Sequence, residues 1–150
     1  MQLVLSMAVA APPTAVWHAL VDPQARAAWW RDGVVLEPWP GGAFAEPWRD
    51  PDGKQQVTRG RVLIFMPPRL LDLSWRDDDW PAATRVQISL TATAGGCRLQ
   101  LVHGGWADTA HELMMAHEAG WRSHLENLRA HVEQNQRHDG RVVAGARQAQ

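Results

Sequence analysis

Residues 97–134 read CRLQLVHGGWADTAHELMMAHEAGWRSHLENLRAHVEQ, and the hydrophobic period changes inside this stretch. Cys97, Leu99, Leu101 and His103 alternate with Arg98, Gln100 and Val102. Period two is the mark of a strand with one buried face. After Gly104-Gly105, Met114, Trp121, Leu125, Leu128 and Val132 recur at helical spacing, with His117 on the edge of the stripe. Asp108 is a suitable N-cap. The spacing predicts one helix from about Asp108 to Gln134, roughly 40 Å long at 1.5 Å per residue. Glu118 with Arg122, Glu126 with Arg129 and Glu133 with Arg137 are spaced as ion pairs on its surface. Beyond Gln136 the periodicity stops, so 136–150 is expected to be a disordered tail after a single domain over 1–135.

Upstream of this switch the chain is mostly strand. Arg85 to Thr93 alternates through Val86, Ile88 and Leu90, and Gly95-Gly96 is a hairpin turn. Leu70 to Arg76 places Leu71, Leu73 and Trp75 on one face. Gln55 to Met66 is a longer strand, closed by Pro67-Pro68. Ala43 to Trp48 and Val34 to Trp39 flank the turn Pro40-Gly41-Gly42. At the start, Leu3, Leu5, Met7 and Val9 alternate as a first strand. Two short helices follow, one carrying Val16, Trp17, Leu20 and Val21, the other opened by Asp22-Pro23 and running to Trp29-Trp30. Sequential antiparallel strands with helices gathered on one side define an α+β layer. One helix does not cover a sheet of six to seven strands, and the space between them is a natural ligand cavity.

Composition narrows the function. The chain has 150 residues, 45% apolar and 21% charged, which suits one globular domain. Fifteen basic and sixteen acidic side chains give a net charge of −1, which argues against nucleic acid as the partner. No apolar run reaches the ~18 residues of a membrane span. Met1 to Ala10 has no basic leader, and the single Cys97 excludes an internal disulfide and Cys-cluster metal sites. The expectation is a cytoplasmic protein, monomeric or weakly dimeric, with the Val34–Trp39 strand available to pair across a dimer. Nine tryptophans, two phenylalanines and no tyrosine are a bias that suits a core, a pocket or an interface.

A series of segments along the chain carries a further resemblance. The resemblance rests on Ala11-Pro12-Pro13 with Val16-Trp17, Leu20, Asp22-Pro23 and Trp29-Trp30. It continues through Glu37-Pro38 with Pro40-Gly41-Gly42-Ala43-Phe44, Gly60-Arg61-Val62-Leu63, and Pro67-Pro68-Arg69-Leu70 before Ser74-Trp75-Arg76. It ends with Leu101-Val102-His103-Gly104-Gly105-Trp106 and His117-Glu118-Ala119-Gly120-Trp121 followed by Leu125 and Leu128. By the order and spacing of these segments, over about residues 3 to 135, the chain resembles the activator of heat-shock-protein-90 ATPase homologue family of the SRPBCC, or START-like, superfamily. The resemblance implies a helix-grip fold: a curved antiparallel sheet around the C-terminal helix, with two short helices after the first strand closing one end. That fold hosts lipid carriers, hormone receptors, cyclases and chaperone regulators, so it does not assign an activity.

The candidate ligand-binding residues are Trp75, Ile88, Leu101 and His103 on the sheet, Phe44 and Trp48 on their own strand, and His117, Trp121 and Leu125 on the helix. All of them also suit a packed core. His103, on an apolar face, either orients a ligand or ties its strand to the turn that follows. Glu46, between Phe44 and Trp48, either faces Arg59 or Arg61 or sits at an open sheet end. Gly120 inside a helix costs ~1 kcal/mol against alanine, which points to close packing or to room for a ligand beside Trp121. His117, His124, His131 and His138 lie seven residues apart, too far along a helix to share a zinc ion, and no metal or other cofactor is expected. Asp77-Asp78-Asp79 lacks the spacing of a calcium loop and reads as a solvated tip.

Three functions remain. The first is binding of a small hydrophobic, aromatic or amphipathic molecule between sheet and helix, with Trp75→Ala and Trp121→Ala affecting affinity more than folding. The second is a cyclase or hydrolase in the same cavity, using His103 with Glu46 or His117; no catalytic residue is assigned. The third is a module that stimulates a chaperone ATPase through an exposed face near Asp77, Trp80 and Trp106.

Overall fold

The computed structural model describes the backbone of residues 1–148 and the side chains of residues 1–139. Strand β1 (Gln2–Val9) buries Leu3, Leu5 and Val9, as its alternation requires. Helix α1 (Pro13–Val21) begins on proline, whose missing N–H costs nothing at a helix start. Helix α2 (Pro23–Trp29) is capped by Asp22, whose carboxylate accepts the Ala25 N–H at 2.9 Å. The strands β2 (Val35–Leu36), β3 (Ala43–Arg49), β4 (Gln55–Met66), β5 (Leu70–Asp77), β6 (Thr84–Thr93) and β7 (Gly96–Gly104) follow, then the long helix α3 (His111–Gln148). The strands form one antiparallel sheet in the order β1-β7-β6-β5-β4-β3-β2.

Two elements differ in extent from expectation. The strand expected over Val34 to Trp39 shrinks to Val35–Leu36. Pro38 and Pro40 have no N–H for a ladder, and the Trp39 N–H turns back to the Glu37 carbonyl at 2.9 Å. Helix α3 starts at His111 because its first intrahelical bond runs from the Met114 N–H to the Ala110 carbonyl at 2.9 Å, which makes Ala110 the cap and leaves Asp108 outside. It also continues past Gln134 to Gln148, through the segment expected to be a tail; alanine, arginine and glutamine there favour helix and offset the cost of Gly140 and Gly145. The last two positions of that expected tail, Ala149 and Gln150, lie outside the described residues.

The core lies between the sheet and α3. Met114, Trp121, Leu125, Leu128 and Val132 are buried along one side of the helix, the stripe read from the sequence. They meet Leu71, Leu73 and Trp75 from β5, Val86, Ile88 and Leu90 from β6, and Leu99 and Leu101 from β7 in one hydrophobic cluster. Helices α1 and α2 pack on each other and on α3. The opposite face of β5 buries Asp72, which holds the Arg85 guanidinium at 2.7 Å and accepts from Gln87 at 3.2 Å.

Gly60 marks the tightest point of the sheet. A Cβ there would sit 1.8 Å from the backbone carbonyl oxygen of Ser74 on β5. Backbone cannot swing aside as a side chain can, so Gly60→Ala must open the β4–β5 pairing beside its register shift at Val62 and Ile64. We expect a loss of about 2–4 kcal/mol by urea denaturation, in the range of severe overpacking. An unchanged midpoint contradicts this.

Candidate functional site

The polar floor of the site comes from strand register. Glu46 on β3 pairs with Thr58 on β4, and Thr58 pairs with Asp77 on β5. Directly paired residues share a face, so the three side chains form a row across the sheet. Arg59 and Arg61 pair with Ala45 and Ala43 and are exposed on the other face, so Glu46 does not meet them as one sequence reading had it. Glu46 instead accepts the indole N–H of Trp30, at the end of α2. Thr58 donates its hydroxyl to Asp77 at 2.5 Å and accepts the indole N–H of Trp48 at 3.0 Å. Asp77 is therefore half-buried inside the site, not part of the solvated tip. Burial raises the pKa of Glu46, against the pull of the Arg31 charge and the Trp30 bond, and also raises that of Asp77, against the Thr58 bond.

Helix α3 supplies the facing wall. Leu113, Ala116, His117, Gly120, Trp121 and His124 follow i, i+3, i+4 spacing and line a cavity of about 320 Å³. The sheet side contributes Glu46, Trp48, Thr58, Trp75 and Asp77, while Arg31 and Arg49 bring two exposed guanidiniums. Gly120 has no atom within 4 Å of the place a Cβ would occupy. The close-packing explanation for this helical glycine therefore fails, and open space explains it. Gly120→Ala should raise stability by up to ~1 kcal/mol, because the helix gains propensity and nothing clashes. A lower thermal midpoint for this variant contradicts the open wall.

Behind the cavity stands an aromatic cluster. Trp75 lies 5.0 Å from Trp121 and 5.2 Å from Phe44 between ring centroids. Trp30 lies 5.7 Å from Trp121 and stacks on Trp75 at 6.5 Å. His117 is enclosed by Trp106 at 4.8 Å and Trp80 at 5.4 Å. Its Nδ1–H donates to the Leu113 carbonyl at 3.0 Å, so Nε2 accepts the Trp75 indole N–H at 3.4 Å. Trp80 and Trp106 are buried, which corrects their reading as exposed contacts for a chaperone. Trp39 is the tryptophan left half in solvent, at 52% exposure.

His103 is not part of the cavity wall. It is fully buried, and both ring nitrogens are used within the core. The Thr84 hydroxyl donates to the Trp75 carbonyl at 2.8 Å, so it accepts from His103 Nε2–H at 2.7 Å. His103 Nδ1 then accepts the Trp121 indole N–H at 3.1 Å. This pattern requires the neutral ring. Burial, with a smaller contribution from His117, drives its pKa from 6.5 down to about 3. His103 lies 5.5 Å from His117 between ring centroids, but both of its nitrogens are already bonded, so it has none free for a substrate.

Of the residues singled out from sequence, Trp48, Trp75, His117 and Trp121 line the cavity. Phe44, Ile88, Leu101, Leu125 and His103 are buried in the core instead. Sequence reading missed Arg31, Arg49, Thr58, Leu113 and Ala116 as wall residues. Leu113, Ala116, Gly120 and His124 form a second helical stripe beside the apolar one, and that spacing was a usable signal. Among the described residues, no three His, Cys, Asp or Glu side chains converge to hold a metal ion. No described helix is long and apolar enough to cross a membrane.

A seven-stranded antiparallel sheet gripping one long helix, with a cavity at their junction, defines a helix-grip domain. Residues 10–133 match the family described as Activator of Hsp90 ATPase homolog 1-like protein, and the chain belongs to that family. No curated protein matches the chain. Solved structures with the same fold include a Mesorhizobium loti protein at 22% identity and a TM-score of 0.78, covering 89% of this chain and 98% of that one. A Chromobacterium violaceum protein at 27% identity has a TM-score of 0.76, with 88% and 97% covered. The Aha1 dimer from Colwellia psychrerythraea, at 17% identity and a TM-score of 0.73, covers 89% and 96%.

Proposed function

We propose that this domain binds a small amphipathic molecule in the cavity between β3–β5 and the first half of α3. The apolar body of the ligand lies against Trp48, Trp75 and Trp121, and its polar end meets the ring of Arg31, Glu46, Asp77 and His124. The observation that supports this is the open helix wall at Gly120, next to the packed aromatic cluster. An aromatic cavity of about 320 Å³ with a few convergent polar groups has the size and character of a small-molecule site. Aromatic walls favour a planar apolar group, and burial of its surface supplies ~25 cal/mol per Å².

Gly120→Leu tests the reading, because it fills the space without removing any contact. N-phenylnaphthylamine, a neutral fluorescent probe, should brighten on binding to the wild-type protein. The leucine variant should bind it at least about tenfold more weakly while its thermal midpoint does not fall. Equal probe binding by both proteins, or none by either, sinks the proposal.

A further inference from the structure

The cavity carries four formally charged side chains, and their partners divide them. Asp77 holds the Thr58 hydroxyl at 2.5 Å, and Glu46 holds the Trp30 indole N–H. Arg49 donates to the Gly53 carbonyl at 2.9 Å. Arg31 is different: it forms no hydrogen bond and no ion pair with any described residue, although its guanidinium lines the cavity.

His124 is the second polar group without a partner. Its ring lies 5.3 Å from Trp30 and 6.2 Å from Trp121, half-buried on the cavity wall, and it bonds to no described residue. A neutral imidazole keeps one N–H to donate. Burial, helped by the nearby Arg31 charge, lowers the His124 pKa to about 4, so the ring is neutral at pH 7. The cavity thus presents a free planar guanidinium and a free N–H donor beside an aromatic wall. The two acids of the cavity each already accept a hydrogen bond, Glu46 from Trp30 and Asp77 from Thr58.

Building on the ligand-binding reading above, we infer that the cavity selects a carboxylate-bearing aromatic molecule, whose carboxylate is held by Arg31 and His124. A guanidinium fork matches a carboxylate in two parallel hydrogen bonds, and charge-assisted bonds of this kind are about twice as strong as neutral ones. An ammonium head would instead meet the Arg31 guanidinium, which bonds to no described side chain, and two carboxyls that already accept from Thr58 and Trp30.

Three probes with one tail separate the inference from the reading beneath it. Naphthylacetate, naphthylethylamine and naphthylethanol share the aromatic body and differ in the head group. Calorimetry should show the acid binding at least about tenfold more tightly than the alcohol, and the amine more weakly than either. Arg31→Gln should erase the preference for the acid, bringing its affinity down to within about twofold of the alcohol's in the same variant, and His124→Phe should reduce that preference severalfold. Arg31 is exposed, so its replacement leaves folding intact. If the alcohol binds but the amine equals or exceeds the acid, the carboxylate assignment is overturned and the ligand-binding reading stands. The assignment is also overturned if Arg31→Gln keeps the preference for the acid. If none of the three binds, both fall.

Discussion

Replacing His103 by alanine is expected to remove about 3–5 kcal/mol of stability, much of what a domain of this size possesses. The ring is fully buried, 4.5 Å from Trp106 and 5.8 Å from Trp75 between centroids. Truncation opens a void there and leaves the Trp121 indole N–H without its acceptor. The same residue governs the acid limb of stability. Its pKa is about 3 in the folded protein and near 6.5 when unfolded. Between those values the unfolded chain binds the extra proton, so stability is complete above about pH 6.5 and is lost as pH falls toward 3. Each unit of pH in that window costs about 1.4 kcal/mol. His124, lowered to about 4, and His117, lowered by burial, act in the same direction. Glu46 and Asp77 act oppositely: their raised values favour the folded state in acid, and that contribution disappears as pH rises through them. The large downward shifts of His103 and His124 set the sign of the net effect. Urea midpoints measured from pH 7 down to 4 should fall steeply for the wild type. His103→Phe, which keeps most of the volume and cannot take a proton, should start lower and fall less. Parallel slopes for the two proteins would show that His103 is not the group that titrates.

Trp75→Ala should destabilise by a similar amount, about 3–5 kcal/mol. The indole is 4% exposed and touches Trp30, Phe44, Trp121 and both His103 and His117. Its N–H is also the partner of His117 Nε2. The sequence reading expects this substitution and Trp121→Ala to affect affinity more than folding. Both side chains line the cavity and are also buried in the core cluster, so a large loss of folding stability is expected alongside any loss of affinity. Chemical denaturation of Trp75→Ala should therefore show a large loss before any ligand is added, with Trp75→Phe intermediate. A stability within about 1 kcal/mol of wild type would mean that the aromatic cluster is far looser than its geometry.

Local pattern carried most of the architecture. The change from period two to period 3.6 after Gly104-Gly105 placed β7 and α3, and Asp22-Pro23 marked the start of α2. These signals are legible because they depend on a residue and its near neighbours in the chain. Candidate site residues fared unevenly for the same reason. Alternation says that Leu101 and Trp75 face inward, but the cavity lies only over part of that face, so one is core and the other is wall. Glu46 stands out in the sequence as an acid on an apolar face, yet its neighbours came from register: Thr58 and Asp77 lie twelve and thirty-one positions further along the chain.

The sequence alone determined the helix-grip architecture and the family, because periodicity, turn residues and the order of motifs are properties of the chain itself. Tertiary structure decided what each inward side chain meets. His103 became a closed structural link because Thr84 and Trp121 reach its two nitrogens. His124, on the same helix as Trp121, was left with a free edge in the cavity. Gly120 became open wall and Gly60 a contact point for the same reason: what lies opposite a missing side chain is set by another segment. Burial, partner and proton affinity all follow from that opposing segment, and no local pattern specifies it.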